Sequence, residues 1–166
     1  REISFQENRD FNDIWDNTNP TLKFTSHEEK KGKLFLESLG IKQSNRFVCL
    51  IVRDSEYLDY YYPNNNWDYH SHRNSDVNNF LTAAEYLANN GYYVFRMGEK
   101  VSKRLNTKNN KIIDYATNGL RSDFLDIYLM AKCHFCITTG TGLDGVSNAF
   151  RRPIMEVGFL PLHDIR

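Results

Sequence analysis

Three glycines, three arginines and two histidines are the residues whose types and spacing point to chemistry. Within ITTGTGLDGVSNAFRRPIME (137–156), Gly140, Gly142 and Gly145 follow the spacing G-x-G-x-x-G. A loop of that kind, set between a strand and a helix, exposes backbone N–H groups at a helix N-terminus and suits an anion such as a pyrophosphate. Thr138, Thr139 and Thr141 add hydroxyls, and Asp144 and Asn148 lie beside the loop as further ligand contacts. The dinucleotide fingerprint requires more: a place on the first strand, a long helix after it, and an acid about 20 residues on. Here Pro153 opens another strand soon after Gly145, and Glu156 arrives too early. An NAD-dependent oxidoreductase is therefore an alternative against which the spacing argues. The plain alternative is that the glycines only let a short helix pack closely on a sheet.

Arg53 closes the apolar run RFVCLIVRD (46–54), and Arg96 and Gly98 close YYVFRMG (92–98). If both runs are strands of one parallel sheet, their ends share the edge where such sheets bind ligands, and two planar guanidiniums beside the glycine loop suit a diphosphate. YHSHRNSD (69–76) offers His70, His72, Arg73 and Asp76, with a His or Asp as a general base for a substrate hydroxyl, Asp76 being better suited to a helix cap; substrate contact and a solvated loop are the alternatives. A metal is not expected there, because H-x-H lacks a third ligand. Glu156, after the last strand, is placed to meet a ribose or sugar hydroxyl. Cys133 and Cys136 form a single C-x-x-C between a buried helix end and a strand, which reads as core packing.

These residues need a frame to bring them together, and the apolar pattern supplies one. Ser26 and Glu29 form a capping box before a helix at about 26–40. Run 46–54 is the first strand, continuous in the manner of strands covered on both faces. Residues 55–76 make a long polar loop, after which Ser75 or Asp76 caps a helix carrying Phe80, Leu81, Ala84, Leu87 and Ala88. Strands follow at 92–98, 111–116, 134–139 and 151–157, with a helix capped by Ser122 and a short helix from Val146 between them. The order predicts a doubly wound, Rossmann-like α/β fold with a mostly parallel sheet over 45–166. Residues 1–44 are expected to be an arm or connector. The chain opens on Arg1, which fits a piece of a longer protein.

The 166 residues carry 21 Lys+Arg against 21 Asp+Glu, so the formal net charge is zero. Long-range attraction to nucleic acid is excluded as a bulk property. Three cysteines without a pairing framework argue for a reducing compartment.

The stretch DFLDIYLMAKCHFCITTGTGLDGVSNAFRRPIMEV resembles the C-terminal half of the donor-binding domain of GT-B glycosyltransferases. The combination VCLIVRD, YHSHRNSD, GYYVFRMG and TTGTGLDG is similar to a bacterial family of glycosyltransferases found with surface-polysaccharide genes. The resemblance covers about residues 45–160. It implies sugar transfer from a nucleotide-sugar donor to a glycan or lipid-linked acceptor, with no metal and no other cofactor. Donor contacts would come from Arg53, Arg96, Gly98, Thr139, Gly140, Thr141, Gly142, Asp144, Gly145 and Glu156. The fucosyltransferase branch likewise sets an Arg after its first strand; Ile51 stands where that branch carries a His. The resemblance further implies a cytoplasmic protein, with peripheral contact at the inner membrane left open, and an N-terminal domain of the same chain. A non-catalytic nucleotide- or sugar-binding module is the remaining alternative.

Overall fold

A computed structural model of the chain describes residues 17–158. Residues 1–16 of the expected arm, and the tail from 159, lie outside them. The element order is α1 (Ser26–Ser38), β1 (Phe47–Ile51), α2 (Glu56–Tyr61), two 3-10 turns (Asp68–Arg73 and Val77–Phe80), α3 (Leu81–Asn89), β2 (Tyr93–Met97), β3 (Ile112–Ile113), α4 (Asp123–Lys132), β4 (Phe135–Thr138), α5 (Asp144–Ala149) and β5 (Ile154–Glu156). All strand pairs are parallel, in the order β3-β2-β1-β4-β5.

The central strand β1 is buried along its whole length. Phe47, Cys49 and Ile51 face one layer with Leu125, Leu129 and Met130 of α4, while Val48 and Leu50 face the other with Ala84 and Ala88 of α3. Helices on both faces explain why the run lacks polar alternation. This is the Rossmann-like α/β arrangement. All three cysteines are free and buried, with Cys49 and Cys136 paired across neighbouring strands.

Helix α1 starts one residue earlier than the capping pattern suggested. Thr25 is the N-cap, accepting from the Glu28 N–H at 3.3 Å, and Glu28 Oε2 accepts from the Thr25 N–H at 2.7 Å. Glu29, the expected partner of Ser26, instead reaches Lys132 and the Tyr128 hydroxyl of α4. The Ile41 N–H to Leu36 carbonyl bond (3.0 Å) and the Gly40 N–H to Glu37 carbonyl bond (2.9 Å) close the helix in a Schellman pattern. Gly32 permits its docking, since a Cβ there would lie 2.2 Å from the Tyr128 ring. Phe35, Leu36 and Leu39 complete the contact with the core, and Phe24 stacks on Phe150 with centroids 5.3 Å apart. Residues 24–41 are thus packed into the α/β unit rather than forming a separate arm.

The segment 55–76 is also more ordered than a loop. Asp54 Oδ1 accepts from the Glu56 N–H at 3.1 Å, and α2 follows. Asp76 caps the next turn, with Oδ1 accepting from the Asn78 N–H at 2.9 Å. Among the described residues, no helix is long and apolar enough to cross a membrane.

Candidate functional site

The order in which strands are added reverses between β1 and β4: the parallel strands run outward through β2 and β3 on one side and through β4 and β5 on the other. The carboxyl ends at that switch point flank a crevice where open parallel sheets bind ligands. A cleft of ≈ 650 Å³ opens there, within the roughly 300–1,000 Å³ usual for small-molecule sites. Its apolar wall includes Ile51, Met97, Val101, Ile127, Leu143 and Val146; its polar rim includes Arg53, Glu99, Lys100, Arg121 and Thr141. A smaller cavity of ≈ 390 Å³ lies at the opposite, amino edge of the sheet.

Arg53 stands where β1 leaves the sheet. Its backbone N–H donates to Thr139 Oγ1 at 2.8 Å, which ties the β1 exit to the β4 exit. No carboxylate among the described residues pairs with its guanidinium, and its Nε is buried without a hydrogen bond. Partial burial, and then the neighbouring Arg73 cation, pull its pKa below the ordinary arginine value. Arg73 comes in from the 3-10 turn and donates from Nη2 to the Gly140 carbonyl at 3.2 Å. His70 joins them. Desolvation, followed by the Arg53, Arg73 and His72 charges, lowers its pKa and favours the neutral imidazole. The Arg73 charge repels that of Arg53, and an anion bound at Arg53 would offset that repulsion.

The glycine loop is arranged differently from an open cradle. Gly140 turns the chain at φ +83°, and its N–H donates to Thr138 Oγ1 at 3.0 Å. Asp144 folds back over the loop: its Oδ2 accepts the Thr141 N–H at 2.8 Å and the Thr138 hydroxyl at 2.8 Å. A carboxylate of the chain itself therefore occupies part of the anion-binding surface. Asp144 is a loop-closing residue, and Thr139 is a buried strut. Gly142 and Thr141 still line the cleft, whereas Gly145 and Asn148 sit on α5 outside the lining.

Arg96 is a correction. It lies one residue before the end of β2 on the α3 side of the sheet, fully buried, with Nη1 donating to Asp114 Oδ1 at 3.2 Å. Asp114 Oδ2 further accepts from the Leu105 N–H at 3.0 Å and the Thr117 hydroxyl at 2.7 Å. This arginine faces the core and does not reach the cleft, because strand alternation turns residue 96 away from the face that Met97 shares with the cleft. Gly98 does line the cleft. Its φ of +145° and a 2.6 Å approach of any added Cβ to Val101 Cγ1 require glycine there. Glu156 is exposed on the edge strand β5 and is not part of the lining. His72 is exposed on the 3-10 turn.

Several features of the site had no local signal. Tyr57 and Leu58 line it from α2, a helix that segment 55–76 gave no reason to expect. Asp126, on a helix that reads as apolar nearly all round, is buried and pairs with Arg121 Nη2 at 2.8 Å. Burial, opposed by Arg121, raises its pKa. Among the described residues, no three His, Cys, Asp or Glu side chains are placed to hold a metal ion. No protein-family model matches the chain, and no curated protein or solved structure is significantly similar to it.

Proposed function

We propose that this chain is the donor-holding α/β domain of a glycosyltransferase, which grips a nucleoside diphosphate-sugar while the sugar moves to a glycan or lipid-linked acceptor. The observation that supports this most is Arg53, a half-buried guanidinium that lines the switch-point cleft and has no carboxylate partner among the described residues, with Arg73 held behind it on the Gly140 carbonyl. Buried cations are normally paired. An arrangement that leaves one unpaired beside a second suits a dianionic ligand, and the apolar wall beyond suits a base and ribose.

In the proposed transfer, the bond from the sugar anomeric carbon to the diphosphate oxygen breaks, and a bond to an acceptor hydroxyl oxygen forms. Negative charge grows on the departing diphosphate, where Arg53 and Arg73 stabilise it more strongly than in the bound donor. The acceptor hydroxyl gives its proton to a base. His70 is suited to that role because desolvation, and then the neighbouring cations, lower its pKa and favour the proton-accepting neutral imidazole. Gly98 and Gly142 let the backbone of the cleft approach the ligand closely.

A thermal-shift panel of UDP-, GDP-, CMP- and dTDP-sugars plus NAD tests the proposal. Stabilisation by at least one nucleotide-sugar is expected. Stabilisation by NAD alone would replace the reading with an oxidoreductase, which the short α5 and the Asp144 closure disfavour. Silence from every nucleotide would end it.

A further inference from the structure

Residues 56–70 form a surface unlike the rest of the molecule. Tyr57, Tyr60, Tyr61, Tyr62 and Tyr69 are each between 44% and 64% exposed, and they are the only large apolar side chains exposed in that stretch. Helix α2 buries none of its residues, so these rings do not serve the core. They touch one another instead: Tyr61 lies 4.8 Å from Tyr57 and 5.0 Å from Tyr60 between ring centroids. Trp67 lies 6.0 Å from Tyr62 and 6.1 Å from Tyr69. Lys100 Nζ stands 3.8 Å over the Tyr60 ring, which shows an electron-rich ring face at work.

The chemistry of the surface selects its partner. No Leu, Ile, Val or Phe is exposed in the segment, and a face that inserts into lipid normally offers them. Its charged groups are Glu56, Asp59 and Asp68 against Lys100, which sits over the Tyr60 ring, a balance without the basic cluster that an anionic membrane or polymer requires. Among the described residues, the hydroxyls of Tyr57, Tyr60, Tyr62 and Tyr69 have no hydrogen-bond partner, and Asn64 and Asn65 present exposed amides. Rigid rings with polar tips, interleaved with amides and carboxylates, match a partner that offers flat C–H faces rimmed by hydroxyls. A hexopyranose chain has that form.

We infer that segment 57–70 is a binding platform for a neutral glycan, laid across the mouth of the switch-point cleft. Tyr57 lines the cleft with Arg53, and the Tyr61 hydroxyl donates to Glu99 Oε1 on its rim at 2.6 Å. A glycan on the rings therefore has one end at the cleft that Arg53 lines. If the cleft holds an activated sugar, as proposed above, that glycan is the acceptor; the platform argument itself rests only on residues 56–70.

Saturation-transfer NMR of the full chain with neutral hexasaccharides of glucose, mannose, galactose and N-acetylglucosamine tests the inference, alongside vesicles of phosphatidylethanolamine and phosphatidylglycerol. At least one hexasaccharide should receive saturation. The double variant Tyr60→Ala/Tyr62→Ala should weaken it by about tenfold or more, with an unchanged unfolding midpoint and unchanged nucleotide response. Three results would overturn the inference: no transfer to any of the four sugars, undiminished affinity in the double variant, or vesicle binding that the double variant abolishes. Because nucleotide binding is read separately, a failed nucleotide panel and a failed platform are told apart.

Discussion

The neighbouring strands β1 and β2 each carry an arginine near the carboxyl end, and the two have opposite fates. Arg96 is fully buried and neutralised by Asp114, whose other oxygen also holds the chain at Leu105 and Thr117. Arg53 lies just beyond its strand, half-buried, beside Arg73 and without a carboxylate partner among the described residues. Both arginines bury an Nε that makes no hydrogen bond; the difference is that Arg96 has its counter-charge in Asp114, and the proposed ligand would supply one to Arg53. The charge inside the sheet is therefore structural, and the one past the strand end, where the backbone turns into loops, is the one the proposed function assigns to a ligand.

The contrast is tested most severely at Asp114. Asp114→Ala leaves Arg96 buried without its counter-charge and orphans the Leu105 N–H, so urea denaturation should show a loss of about 3–5 kcal/mol. A loss under 1 kcal/mol would mean that Arg96 finds water, and the distinction between the two arginines would weaken. Arg53→Ala should do the reverse. Losing charge-assisted bonds of about 1.5–3 kcal/mol should raise the Kd for the best nucleotide-sugar about ten- to hundredfold, while stability stays within about 0.5 kcal/mol. Unchanged affinity would remove Arg53 from the site. The smallest effect belongs to the exposed pair Lys103–Asp76. At 2.6 Å it is shorter than Arg96–Asp114 at 3.2 Å, yet its side chains are 60% and 35% exposed. The Lys103 hydrogen bond, with the Asn78 N–H, holds the Asp76 carboxyl down to about 2 from an ordinary 3.8. A depressed carboxyl stabilises the fold above its unfolded value, so that contribution should vanish as pH falls from 3.8 toward 2. In Asp76→Asn the acid limb of a stability–pH curve should be shallower; an identical limb would show that length without burial confers nothing measurable.

Much of this was legible along the chain. The run at 46–54 reads as a doubly covered strand because both faces of β1 meet helices, and the alternation of strands with helical repeats leaves few arrangements other than a wound parallel sheet. Asp76 and Ser122 announced their caps through local hydrogen bonding. The glycine loop was found but its occupancy was not: Asp144 lies three residues from Thr141, and nothing in the spacing says that its carboxylate turns inward onto that N–H. Likewise Arg73 was grouped with the histidines as a catalytic loop, and its contact with Gly140, 67 residues away in the chain, was invisible.

Periodicity and capping are properties of neighbours in sequence, and they alone determined the strands, the covering helices and hence which edge of the sheet carries the strands' carboxyl ends. Which arginine faces that edge depended on strand phase and on the distant Asp114, and the wall supplied by α2 depended on Asp54 bridging to Ser102 across 48 residues. Such pairings exist only once the sheet has brought remote segments together, because side-chain hydrogen bonds and ion pairs act over a few ångströms and carry no signature along the chain.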